Sequence, residues 1–154
     1  MSIHNHTFPS QSHFTRSGPV VEVRVEVPTA LAAALGANKQ SIPKPVSGLA
    51  LIDTGASTSA VESGVIQQLG VQPVGMGNVT TPTGSESRLF YPARFSFPGT
   101  DLPDMDFQQL LGADLSLQKI HGWTSPLIAL IGRDILQHFL LVYNGPSGAF
   151  SLAF

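Results

Sequence analysis

The sequence predicts a mostly β domain, and three observations carry that expectation. Val21, Val23, Val25 and Val27 alternate with Glu22, Arg24 and Glu26, the period-two pattern of a half-buried strand. Two short apolar runs, Leu49–Ile52 and Leu127–Ile131, each break off at a turn-forming or charged residue. Twelve prolines and fifteen glycines in 154 residues cut the chain into short pieces, which suits strands and turns better than long helices.

The length is that of one domain able to bury its own core. Charged residues make up only 12% of the chain, roughly half the usual share, and a surface that poor in charge often hides part of itself against a partner. The net charge of −2, with no lysine or arginine cluster, excludes nucleic acid as an expected partner. The absence of cysteine excludes disulfides, thiolate nucleophiles and cysteine-based zinc sites. No apolar stretch of signal-peptide length opens the chain and none approaches a membrane span, so a cytoplasmic protein without a membrane partner is expected.

Residues 1–18 are polar and aperiodic and read as a flexible tail ahead of a domain at 19–154. The tail holds His4, His6 and His13, in no standard metal-binding spacing. The valine strand ends at Pro28. Thr29 to Ala37 is a short helix or a loop insertion, with Leu31 and Leu35 on one helical face. Residues 38–48 read as a loop, and Leu49–Ile52 as the second strand. Ser59 to Leu69 allows a short helix with Gly70 as its stop. Asn78 to Phe97 reads as a hairpin turning at Thr81-Pro82-Thr83-Gly84-Ser85. Met105–Leu111 is a further strand, and 112–126 is irregular. Leu127–Ile131 reads as a strand buried on both faces. Ile135–Phe139 has helical spacing. Leu140–Tyr143 and Ala149–Phe154 close the chain around a turn at 144–148.

The chemistry concentrates where the second strand ends, at Asp53-Thr54-Gly55-Ala56-Ser57. An apolar strand that finishes on a carboxylate needs that charge paired, hydrogen-bonded or put to use. The second apolar run also breaks, at Gly132-Arg133-Asp134, with Gly132 79 positions beyond Asp53. A hairpin with a glycine-bearing tip lies between them.

This order of features resembles the retropepsin-type aspartic proteases, the single-lobe class of the retroviral proteases and their bacterial and eukaryotic relatives. The resemblance covers residues 20–154 and not the tail. It implies a closed β-barrel with one short C-terminal helix and a flap hairpin, and an aspartic endopeptidase that needs no metal and no cofactor. Such chemistry uses two carboxylates about 3 Å apart that share one proton. The chain has one Asp-Thr-Gly, so a homodimer would bring Asp53 opposite its own copy, with a peptide or protein as substrate.

The resemblance also assigns neighbours. Thr54 would hold the two turns together across the dimer axis, and Gly55 would let substrate backbone approach. Ala56 and Ser57 would line the cleft. Thr81, Pro82, Thr83 and Gly84 would form the flap tip over bound peptide. Ile128 and Leu130 would shape side-chain pockets, or simply fill the core. Gly132, Arg133 and Asp134 would support the site structurally. Many retroviral relatives carry an acid at the position of Ser57 to pair with the arginine; here Arg133 must find another partner, either Asp134 or the second chain. His121 and His138 are expected to take no part in catalysis. The alternative is a non-catalytic peptide-binding or dimerisation domain on the same scaffold, which would be marked by loss of the Asp or Gly of the motif; both are present.

Overall fold

The computed structural model describes residues 1–154 and is mostly β, with a closed barrel at its centre. Six strands form the barrel: β2 (Val20–Glu26), β3 (Val46–Ile52), β4 (Ala60–Glu62), β6 (Gly84–Ser96), β7 (Met105–Ala113) and β8 (Leu127–Ile131). Their order around the barrel is β2-β3-β8-β4-β7-β6, and a β6–β2 pairing of Phe95 with Val25 closes it. The β3–β8 and β4–β7 pairs are parallel and the others antiparallel. β5 (Gly75–Thr81) extends from β6 as the second arm of the hairpin. The hairpin connection is the two-residue Pro82-Thr83, with Thr81 paired to Gly84.

The valine alternation of β2 sorts as the period requires. Val21, Val23 and Val25 are buried, while Glu22 and Arg24 face solvent. The barrel core joins them to Ala50, Ile52, Val61, Phe95, Leu110 and Ile131. β8 is buried on both faces because residues 114–126 fold back over its outer side. There Leu115 packs with Val20, Leu49 and Leu127, and Ile120 and Trp123 lean on the same cluster. The buried Glu62 ties that segment down by accepting hydrogen bonds from the backbone N–H groups of Leu115 and Ser116.

Several boundaries differ from the sequence expectation. β3 starts at Val46 rather than Leu49. Ser59–Leu69 is not one helix: β4 comes first and α3 (Ser63–Gln68) follows. Three residues are too few to show a period, and β4 exists through pairing with distant β7 and β8. Thr29–Ala37 is a helix, α2, and a short helix, α4 (Arg133–Leu136), follows β8, beginning two residues before the helical spacing does.

The largest correction concerns residues 1–18, which are not a structureless tail. β1 (Ile3–Thr7) pairs along β10 (Ala149–Ala153), which pairs in turn with β9 (Leu140–Asn144), giving a second, three-stranded sheet. α1 (Gln11–Ser17) follows, capped by the Ser10 hydroxyl, which accepts from His13 N. The physical reason is two isolated aromatics, Phe8 and Phe14. Their rings stack at 4.8 Å and are buried, with Phe14 also stacked on Tyr143. α1 is the helix that no sequence signal pointed to, and it brings the helices to four. No helix of the chain is long and apolar enough to cross a membrane.

Candidate active site

Asp53 stands where the parallel β3–β8 ladder ends. Its backbone N–H donates to Ile131 O at 2.9 Å, so the last ladder bond fixes the start of the turn. The chain then doubles back on the carboxylate. Asp53 Oδ1 accepts from Gly55 N at 2.9 Å and from Ala56 N at 3.3 Å. One oxygen is thereby committed to backbone donors, while Oδ2 has no hydrogen-bond partner within the chain. Asp53 is half-buried, and Thr54, Gly55 and Ser57 are exposed.

The second apolar run meets this turn directly. Arg133 N donates to Ala56 O at 2.9 Å. The Arg133 guanidinium reaches back over the turn and donates from Nη1 to Thr54 O at 2.7 Å and to Gly55 O at 3.0 Å. This identifies the partner that the sequence left open: it is main chain and not Asp134. Gly132 permits the approach, because a Cβ there would lie 3.0 Å from Ala56 O and 3.1 Å from Ser59 N.

Asp134 points the other way and holds the far end of the turn. Its two oxygens accept from Ser59 N at 2.9 Å each, and Oδ1 also accepts from Ser59 Oγ at 2.6 Å and from Ile135 N at 3.0 Å. Ser59 Oγ accepts in turn from Gly132 N at 2.8 Å. Ser59 is fully buried and is the residue that sequence reasoning passed over. The available signal was a lone hydroxyl directly ahead of the apolar Ala60-Val61. Residues 53–59 and 132–135 thus form one hydrogen-bonded unit with Asp53 at its exposed end.

The remaining expected site residues lie apart from this unit. At the hairpin tip Thr81 Oγ1 donates to Gly84 O at 3.0 Å and lies 3.1 Å from Thr83 Oγ1. No hydrogen bond joins Thr81, Pro82, Thr83 or Gly84 to the Asp53 turn. Ile128 is only 2% exposed and sits in the barrel core, so it is a packing residue rather than a pocket wall. Leu130 is half-buried against the cluster under residues 114–126. The largest cavity, about 740 Å³, lies between α2, residues 70–72 and β7, and none of these site residues lines it. No group of three or more histidine or acidic residues is placed to hold a metal ion.

No protein-family model matches the chain, and no curated protein matches it. Among solved structures, one match is the crystal structure of a retropepsin-like aspartic protease from Rickettsia conorii. It aligns over 100% of this chain and 94% of that one, with 13% identity and a TM-score of 0.43.

Proposed function

We propose that this chain is an aspartic endopeptidase that acts as a homodimer, with Asp53 of two copies forming the catalytic pair. The observation that carries the reading is the Asp53 carboxylate. One oxygen is anchored by Gly55 N and Ala56 N, the other is free, and the flanking residues lie open on the surface of a single chain. A carboxylate held this firmly at the end of a barrel strand is preorganised for chemistry. The chain has no second Asp-Thr-Gly, and a two-fold axis through the exposed turn would supply the missing carboxylate.

In this mechanism the two carboxylates share one proton, because two like charges so close do not both ionise. The ionised Asp53 takes a proton from a water molecule, and the water oxygen attacks the scissile carbonyl carbon. The protonated Asp53 gives its proton to the carbonyl oxygen. Collapse of the tetrahedral intermediate breaks the C–N bond: the Asp53 that took the water proton gives it to the leaving nitrogen, and the other recovers a proton from a hydroxyl of the intermediate, which restores the shared-proton pair.

Thr54 would bond across the axis. Gly55 O would accept from the peptide backbone, using the lone pair that Arg133 leaves free, and Ala56 and Ser57 would border the cleft. The β5–β6 hairpin would close over the substrate with Thr81, Pro82, Thr83 and Gly84 at its tip. Leu130 would contribute apolar wall.

The test is incubation with a diverse peptide pool from acid to neutral pH, with wild type beside Asp53→Asn. Cleavage by wild type, blocked by a mimic of the tetrahedral intermediate and absent in a folded Asp53→Asn, supports the reading. A wild type that binds peptides and never cuts them would favour the binding-domain alternative.

A further inference from the structure

Three of the five histidines fall within the first thirteen residues, and the fold leaves all three half-buried. His4 and His6 occupy the half-buried face of β1 with ring centroids 6.1 Å apart. Both lean on Phe150 of β10, at 6.0 and 5.9 Å. His6 also lies 4.5 Å from Phe8 and 6.0 Å from Trp123. One step along the arm, His13 of α1 meets His121 at 5.1 Å. A cavity of about 220 Å³ opens between His4, His6, Glu22 and Trp123.

This patch is built for neutral imidazoles. The titratable groups facing it are Glu22 from β2, His13 from α1 and His121 from the 114–126 segment; β10 and residues 98–100 bring none. One carboxylate, Glu22, shares that cavity with His4 and His6. The Trp123 indole nitrogen is buried with no acceptor, and as a donor it offers nothing to a positive ring. Burial holds His4 below the ordinary value of 6.5, and His6 adds to that. Burial lowers His6 too, with Glu22 opposing and His13 adding.

The arm has a second attachment of a different kind. Phe8 and Phe14 are buried and stacked, and neither titrates. They hold α1 while β1 depends on its ladder to β10 and on the histidine face.

We propose that β1 (Ile3–Thr7) is an acid-released latch: charging of His4 and His6 lifts it from β10, Phe8 and Phe14 keep the arm tethered, and the main-chain edge of β10 is uncovered. The sign follows from the neutral rings being favoured when docked. Docking is complete above the released value near 6.5, and is lost as pH falls through it towards the lower docked values. The weakening is at most about tenfold per pH unit for each histidine. An uncovered strand edge is a template for pairing with another strand. The latch does not depend on the chemistry of Asp53.

Hydrogen exchange on the full chain tests this, run at about pH 7.5 and about pH 5 and corrected for intrinsic rates. In the acid sample residues 3–7 and 149–153 should lose protection, by up to about tenfold per pH unit for each histidine, with β3 and β8 unchanged. Emission of Trp123, the sole tryptophan, should shift to the red over the same range. The double variant His4→Gln, His6→Gln should keep most of its protection at both pH values. Unchanged protection of β1 in wild type overturns the proposal. So does loss shared equally by β1, β3 and β8, which would be unfolding of the whole domain. Both of these readings come from wild type and do not need the variant to fold.

Discussion

Arg133 Nη1 donates to the carbonyl oxygen of Thr54 at 2.7 Å, so a residue two places beyond the second apolar run clamps the turn after the first. A second bond from the same nitrogen reaches Gly55 O at 3.0 Å. These are charge-assisted bonds to main chain, and they fix the carbonyl directions of the two residues next to Asp53. The guanidinium is exposed, so its worth lies in geometry more than in stability.

Arg133→Ala should therefore separate the two effects. Loss of the clamp lets the Asp53 turn move, and kcat/KM on a cleaved peptide should fall by about tenfold or more, or ~1.4 kcal/mol in the barrier. The melting temperature should move little, because an exposed bond of this kind contributes about 1 kcal/mol or less. Steady-state kinetics beside a thermal melt check both halves. Arg133→Lys should recover only part of the activity, since a lysine lacks the guanidinium plane.

Ser59→Ala should behave in the opposite way. The buried hydroxyl accepts from Gly132 N and donates to Asp134 Oδ1, so its removal strands the Gly132 N–H and takes one bond from an oxygen that keeps those from Ser59 N and Ile135 N. The cost should be about 2–3 kcal/mol, lowering the melting temperature by roughly 4–10 °C in a chain of this size. Calorimetry or a denaturant titration reads it directly.

Ala56 sets the pH range in which a catalytic pair here would work. Its methyl group gives the carboxylates no hydrogen-bond donor beyond the backbone N–H already in place. A serine could add one, and bonds to the charged form favour that form. Ala56→Ser should accordingly extend peptide cleavage to lower pH. Superimposable activity profiles for the two proteins would contradict this.

The sequence made part of the fold legible, because some signals are local. The β2 valines, the Leu127–Ile131 run and the hairpin around Pro82-Thr83 carry their structure in their own residues. Asp53 was legible because a charge ending an apolar run is anomalous anywhere. What stayed hidden depends on partners far along the chain. β1 is a strand because β10 lies beside it, about the whole chain length away, and its histidines alternate without looking apolar. β4 is three residues long and is held by β7 and β8. Ser59 reads as a surface residue until Gly132 and Asp134 arrive, 73 and 75 positions later. Arg133 was left between Asp134 and the second chain, and within one chain it donates to two carbonyls. Ile128 belonged to a pattern that fits a pocket and a core equally well, and packing resolved it in favour of the core.

The central claim is that one Asp53 from each of two copies makes one active site. Co-refolding wild type with Asp53→Asn in equal amounts tests it most directly, with peptide cleavage compared to the same total amount of wild type. Random pairing leaves about one dimer in four with both carboxylates, so homodimeric catalysis predicts about one quarter of the activity. Retention of one half would mean that each wild-type chain works alone, and would contradict the shared site.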